Sequence, residues 1–434
     1  MYTIIIVTFV VGYLLIAMEG ATRINKSGIA LLMSVLCWTF FVVSSDGNGQ
    51  VFLGHVEETC ETILFLMGAM TIVEVLDRNG CFNFLVAKLN TDSLRTLLWK
   101  TALLTFFLSA VLDNMTTAIL MIMMLRKLVQ DKGQRLFFAG TIIIAANAGG
   151  AFSPIGDVTT IMLWINGNVT ASGILTKLFL PSLASVLIPL LLLTPMVKGS
   201  VELPSAELSS HQYWLSRKSR TILLCIGVIG LISVPIYRAC TNLPPFVGIM
   251  GVLALLWIAS EIMLRFDNHS DTPIQDVRVA EIIKRIDIPT ILFFLGILLS
   301  VGALKEIGAL ASLGTWLDES VGNVYAVNGM IGILSSVVDN VPLVAASMSM
   351  YSIEPAGVAD AMQIYQQDGA FWQLLAYCAG TGGSLLIIGS AAGVVVMGLE
   401  NISFGWYLKR ISLLALAGYL AGLFVFFLSN LCHF

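Results

Sequence analysis

Two Asp-Asn pairs interrupt otherwise apolar sequence: Asp113-Asn114 within SAVLDNMTT (109–117) and Asp339-Asn340 within SSVVDNVPL (335–343). Thr116 and Thr117 follow the first pair. Ser335 and Ser336 precede the second, and Pro342 follows it. A second kind of interruption lies in the apolar segment 136–166, which carries Asn147, Gly149, Gly150, Ser153, Pro154, Gly156, Asp157, Thr159 and Thr160. The segment 370–400 carries Gly380, Thr381, Gly382, Gly383, Ser384, Gly389 and Ser390. Glycine and proline break helices, through low propensity or a missing donor. A helix broken inside a membrane leaves backbone groups that lipid cannot satisfy, so the break must face protein or a hydrated cavity. Carboxylate, amide, hydroxyl and freed carbonyl oxygens are what a hard cation takes as ligands.

These residues also have plainer readings. A single Asn or Thr in a membrane helix commonly makes an interhelical hydrogen bond, and Gly-Gly pairs serve close packing. Glu74 stands four residues before Arg78, so a structural i,i+4 ion pair competes with a functional role. Asp113 and Asp157 differ, because an unpaired carboxylate inside an apolar segment is costly and marks function. The primary ion-binding and proton-coupling candidates are therefore Asp113, Asn114, Thr116, Thr117, Asn147, Asp157, Thr159 and Thr160. A second set comprises Asp339, Asn340, Thr381 and Ser384, with Glu74 and Ser336 as further candidates. The two sets are unequal: Asp113 aligns with Asp339, but Asp157 aligns with Ser390 and Glu74 with Gly302. Negative charge is concentrated in the first half, which places the main cation site at the Asp113/Asp157 cluster.

The elements that position these residues follow from composition. Of 434 residues, 57% are hydrophobic and 12% charged, with a mean hydropathy of +0.90. Soluble domains carry about 25% charged residues, so lipid must be the solvent and the fold is an all-α polytopic membrane protein. Residues 2–18 lack a basic leader and a small-residue cleavage site, which predicts a retained first span. Seven scattered cysteines form no CxxC pair and four histidines are dispersed, which argues against a zinc site. Neither HExxH nor GxSxG occurs, so an intramembrane enzyme is disfavoured and no catalytic residue or cofactor is expected.

The chain repeats itself. ETILFLMGAMTIVEVLDRNG (61–80) matches PTILFFLGILLSVGALKEIG (289–308) at 8 of 20 positions; SAVLDNMTT corresponds to SSVVDNVPL, and NAGGAFSPIG (147–156) to GTGGSLLIIG (380–389). The expected units are 1–198, a cytoplasmic linker 199–218, and 219–434. With 95–128 and 325–350 as re-entrant hairpins, each half makes five crossings, an odd number, so the repeats are inverted, as in many secondary transporters. This topology puts 20 of the 23 Lys and Arg residues on one side and leaves Lys177, Arg238 and Lys305 on the other. The positive-inside rule makes the crowded side cytoplasmic and both termini extracytoplasmic. Two full spans joined by a short outer loop would give the same parity. However, the ten-residue arm 341–350 reaches only about 15 Å as helix, too short to cross.

The motifs LDNMTTAILM, NAGGAFSPIGDVTT and VVDNVPL resemble those of NhaD-type sodium/proton antiporters, in the ion transporter superfamily that also holds arsenite and dicarboxylate carriers. The resemblance covers nearly the whole chain. It carries the family's polar positions onto Asp113, Asn114, Asn147, Asp157, Thr159, Thr160 and Asn340, with Glu74 and Ser384 matched less closely. It implies two re-entrant hairpins, two broken helices, a homodimeric scaffold and elevator-like movement. It implies a multi-pass protein of the plasma membrane, the inner membrane in a bacterium, with no nucleic-acid partner.

The expected activity is exchange of Na+, and of Li+, for H+ by alternating access. Desolvation favours the protonated carboxylic acid while a bound cation favours the carboxylate, so one cluster can hold either ion and couple their fluxes. The alternative is a sodium-coupled anion carrier, dicarboxylate-like or arsenite-like, on the same scaffold. The Asp-Asn tips and the additional Asp157 favour a cation, since carboxylates repel an anionic substrate unless neutralised.

Overall fold

The structure, a computed structural model, describes residues 2–18, 22–44, 49–82, 84–89, 91–197, 199, 215–267, 278–355 and 360–431. Among these residues the chain is helical, with one isolated bridge between Glu354 and Gln366 and no strand. The linker expected over 199–218 lies outside them, apart from Gly199 and 215–218.

The first part of the chain forms α1 (Tyr2–Ala17), α2 (Lys26–Ser44), α3 (Gly49–Arg78), α4 (Phe84–Leu89), α5 (Leu94–Ser109), α6 (Asn114–Leu128), α7 (Lys132–Ala151), α8 (Val158–Ile165) and α9 (Ala171–Leu193). The second forms α10 (Arg217–Thr241), α11 (Pro245–Asp267), α12 (Val279–Ile283), α13 (Ile288–Glu306), α14 (Ala309–Val321), α15 (Val324–Leu334), α16 (Asn340–Met350), α17 (Ala370–Gly382), α18 (Ala391–Glu400), α19 (Phe404–Arg410) and α20 (Ser412–Leu431). A long helix, a short helix, an interrupted pair and a broken helix occur in the same order in both parts: α3 to α8, then α13 to α18.

Among the described residues, seven helices are long and apolar enough to cross a membrane, or eight if one bent pair counts as a span. They are α2, α3, α9 with its 3-10 extension to Met196, α10, α11, α13 and α20. The helices beside the Asp-Asn pairs are shorter. At about 1.5 Å per residue, the 15-residue α6 reaches roughly 22 Å and the 11-residue α15 and α16 roughly 16 Å each. A hydrocarbon core is about 30 Å thick.

Burial sorts the helices. α7 is buried without interruption from Phe138 to Ala151 and α17 from Phe371 to Gly382, so the broken helices form the centre. α10 and α11 turn Ile229, Ile236, Leu255 and Ile258 outward, as a lipid-facing surface does. α9 packs along α20 and α2 along α13, so each part of the chain braces the other.

The apolar stretch 405–431 is two helices, and α19 is bent by 113° from α18. The turn is made by Asn401 in the left-handed region (φ 50°) and by Ser403, which caps α19 by accepting from the Trp406 N–H. Lys409 and Arg410 in the last turn of α19 carry charge that its apolar composition obscures.

Candidate ion-binding site

Four helix N-termini meet at the centre. α6 is capped by Asp113, α8 by Asp157, α16 by Asp339 and α18 by Ser390. In each case the side chain accepts from a backbone N–H of the first turn, which the helix leaves unpaired. The breaks are therefore specified locally: glycine-containing runs end α7 and α17, short runs without glycine or proline end α5 and α15, and a capping oxygen starts each following helix. Asp113 adopts φ 146°, uncommon for a residue with a Cβ. It is held there by Thr116, whose N–H and hydroxyl donate to its two carboxylate oxygens at 2.8 and 2.7 Å.

Equivalent contacts seat both breaks. Ser109 Oγ donates to the Ala146 carbonyl at 2.6 Å, and Ser335 Oγ to the Ala379 carbonyl at 2.8 Å. A Cβ on Gly156 would run into the Ser109 carbonyl, and one on Gly389 into the Ser336 backbone. Each interrupted pair lies against its broken helix at a point only glycine permits.

Asp157, 1% exposed, is the hub. Its Oδ2 accepts from Asn114 Nδ2 at 3.2 Å and from Asn340 Nδ2 at 3.3 Å. Asn114 also donates to Asn147 Oδ1 at 3.2 Å, and Asn147 donates to Ser390 Oγ at 2.9 Å. One buried network thus joins α6, α7, α8, α16 and α18. Thr160 Oγ1 donates to the Asp157 carbonyl at 2.9 Å. Thr117 Oγ1 and Thr159 Oγ1 are buried with no hydrogen-bond partner among the described residues.

The other candidates are turned to their own helices. Thr381 donates to the Tyr377 carbonyl, Ser384 to the Thr381 carbonyl and Ser336 to the Ile333 carbonyl, each at 2.6 Å. Ser390, which aligns with Asp157 but was not among the expected site residues, is in the network. Its alignment with Asp157 was the signal that pointed to it.

The acidic residues of the bundle divide by partner. Glu74 accepts from Arg78 Nε at 2.8 Å, so the plain ion-pair reading describes it. Glu400, with its side chain fully buried, accepts from Arg126 Nε and Arg135 Nε at 2.7 Å each. Asp339 pairs with Lys26 at 3.3 Å, a contact the sequence did not announce. Among the described residues, Asp113 and Asp157 make no ion pair, although Asp157 feels the charges of both Asp339 and Asp113. No group of three or more His, Cys, Asp or Glu side chains that could hold a metal converges among the described residues. A cation here would draw most of its ligands from neutral oxygens.

Cavities approach from two ends. One of about 490 Å³ is lined by His55, Glu57, Glu58 and Glu61 of α3 and by Lys305 of α13. The other, about 280 Å³, is lined by Glu74 and Asp77 at the far end of α3, by Asp287 before α13, and by Thr116. A hollow of about 60 Å³ is lined by Asp113 and Asn114 together with Phe65 and Phe294. Met70 and Met115 line both this hollow and the 280 Å³ cavity.

Residues 13–365 match the family model described as citrate transporter. The chain is 41% identical to sodium/proton antiporter 1 of Arabidopsis thaliana, over 98% of this chain and 72% of that protein. It is 39% identical to sodium/proton antiporter 2 of the same plant, over 96% and 97%. It is 31% identical to the Na+/H+ antiporter NhaD of Vibrio cholerae, over 91% and 84%. Among solved structures, the Alcanivorax borkumensis YdaH transporter superposes with a TM-score of 0.58 over 90% of each chain at 12% identity, a likeness of fold alone. The chain is thus a membrane transporter and not an enzyme, and it belongs to the NhaD-type sodium/proton antiporter family of the ion transporter superfamily.

Proposed function

We propose that this chain exchanges Na+ for H+, and that the exchange occurs at Asp157 and Asp113. The carrying observation is the division of acidic residues: Glu74, Glu400 and Asp339 have basic partners, whereas Asp113 and Asp157 have none among the described residues. A buried carboxylate without a fixed counter-charge is satisfied either by a proton or by a cation, and only one at a time. That exclusion couples the fluxes. The Asn114 and Asn340 amides donate N–H groups to Asp157. An amide rotated by half a turn offers its oxygen instead, so the same residues serve as sodium ligands, joined by the free hydroxyls of Thr117 and Thr159.

The family model is described by citrate, so a sodium-coupled anion carrier is the second reading. Helix N-termini are natural anion sites. In this chain the N-termini of α6, α8 and α16 are already filled by the protein's own carboxylates. An anion would meet negative charge where it needs donors, which favours the cation.

The cavities at opposite ends of α3 fit alternating access, with Phe65 and Phe294 at the constriction. The short α15 and α16 and the α5–α6 pair serve as re-entrant hairpins of inverted repeats. Both termini face outward by the basic-residue bias, so a cell would expel Na+ and admit H+. Li+, of the same charge and ligand preference, is a second substrate. Elevator-like movement and a homodimer complete the reading by family resemblance.

The test is dye-reported proton movement in proteoliposomes on adding Na+, Li+ or K+, beside sodium-dependent uptake of succinate or citrate. Proton release from the acidified lumen with Na+ and Li+, and no anion uptake, is expected. Sodium-dependent anion uptake without proton movement would reverse the assignment.

A further inference from the structure

Asp339 occupies in the second part of the chain the place that Asp113 occupies in the first, yet the two meet different partners. Asp113 is held by the Thr116 N–H and hydroxyl. Asp339 Oδ2 is 3.3 Å from Lys26 Nζ, at the start of α2. Lys26 is itself fixed in place: its ammonium lies 4.3 Å from the centre of the Phe293 ring on α13. Its neighbour Ser27 donates to the Pro289 carbonyl at 2.6 Å. The pair is partly shielded, with side-chain exposures of 30% for Lys26 and 20% for Asp339. The residue after Asp339 is Asn340, which donates directly to Asp157.

We propose that Lys26 is a resident counter-cation that occupies the second, pseudo-equivalent cation position on Asp339, leaving Asp113 and Asp157 as the carboxylates that exchange Na+ for H+. Lys26 then acts through Asp339, by neutralising its carboxylate. This rests on the antiport reading and deepens it, because it predicts one sodium site where the repeats suggest two.

The groups that face the pair are named by the same geometry. Phe293 on α13 covers the ammonium, and Tyr13 on α1 lies within electrostatic reach of Asp339. Val341 N–H caps the carboxylate from its own helix at 3.4 Å. None of them supplies a second formal positive charge, so removal of Lys26 leaves Asp339 uncompensated close to the ion path.

The test is a charge cycle on the full chain: Lys26→Met, Asp339→Asn and the double variant. Sodium-driven proton flux per folded molecule and sodium-dependent thermal stabilisation in detergent are both read at alkaline pH. Asp339→Asn removes the carboxylate from beside the Lys26 ammonium and should raise the half-saturating Na+ concentration, roughly ten- to twentyfold for one unit of charge on the order of 10 Å away in a medium of effective dielectric near 20. Lys26→Met exposes the carboxylate and should lower it by a similar factor. The double variant should return to within about twofold of the parent, because the two charges cancel. A double variant no better than Asp339→Asn would make Asp339 a sodium ligand and overturn the proposal. If Asp339→Asn does not fold, Lys26→Met decides alone, and an unchanged half-saturation overturns it. Absence of sodium-driven flux in the parent chain would instead remove the antiport reading, an outcome distinct from failure of the cycle.

Discussion

Asn340 Nδ2 and Asp157 Oδ2 are 3.3 Å apart although the residues are 183 positions apart in the chain. That contact brings the cap of α16 onto the cap of α8, so the two halves share one carboxylate. The repeats therefore build one network centred on Asp157, and Ser390, its aligned counterpart, joins through Asn147.

Asp157→Asn and Asp113→Asn should each abolish sodium-driven proton movement while leaving folded protein in the membrane. The amide keeps an oxygen ligand but cannot release a proton. A central aspartate costs about 2.5–3.5 kcal/mol on insertion scales, so its removal does not oppose insertion. Flux per purified molecule, with thermal stability alongside, checks this. Near-normal exchange in both variants would remove these residues from the mechanism.

Asn114→Ala and Asn340→Ala should weaken sodium binding without erasing coupling. Each removes one amide oxygen proposed as a sodium ligand, a contact to a charged group of about 1.5–3 kcal/mol, equivalent to roughly ten- to hundredfold in half-saturating Na+. Both amides bond the same oxygen of Asp157, so the double variant should fall short of the product of the singles. Sodium titrations of the three proteins give the comparison.

The positions of the helix interruptions were legible in the sequence because they are local. Asp-Asn in an apolar run, or Pro154 beside Gly156, ends one helix and caps the next within a few residues. Lys26 could not be assigned to Asp339 that way. It looked like one more charge on a crowded cytoplasmic side, and its partner lies 313 positions away. Glu400 was likewise invisible as a site, since its two arginines lie 274 and 265 positions before it. Thr381 and Ser384 had the right chemistry in the right segment. Only packing reveals that their hydroxyls are spent on carbonyls of their own helix.

Topology gives a separate expectation. Single cysteines placed in 198–220 or 265–288, in a cysteine-free background, should resist an impermeant thiol reagent added outside intact cells, while cysteines in 351–370 should react. The basis is the distribution of Lys and Arg, of which only Lys177, Arg238 and Lys305 fall on the outer side. Labelling of 198–220 from outside would invert the orientation and with it the direction of sodium movement.

Glu400→Gln should damage stability and spare ion affinity. Glu400 ends α18 and is the buried acceptor for Arg126, at the end of α6, and Arg135, early in α7. Arg126 also donates to the Leu399 carbonyl, and Arg135 to the Val129 carbonyl at 3.0 Å. One carboxylate therefore ties three of the helices that carry the site, at the ends remote from it. Gln can accept from one guanidinium but cannot neutralise two. Breaking a buried ion pair by removing one partner costs about 3–5 kcal/mol, because the remaining charge is stranded. The site residues themselves keep their partners, since Asp157, Asn114 and Asn147 bond to one another and not to Glu400. A lowered thermal midpoint in detergent with an unchanged half-saturating Na+ concentration in the surviving protein is the expected pair of results. A shifted sodium titration with unaltered stability would place Glu400 on the ion path and not in the scaffold that supports it.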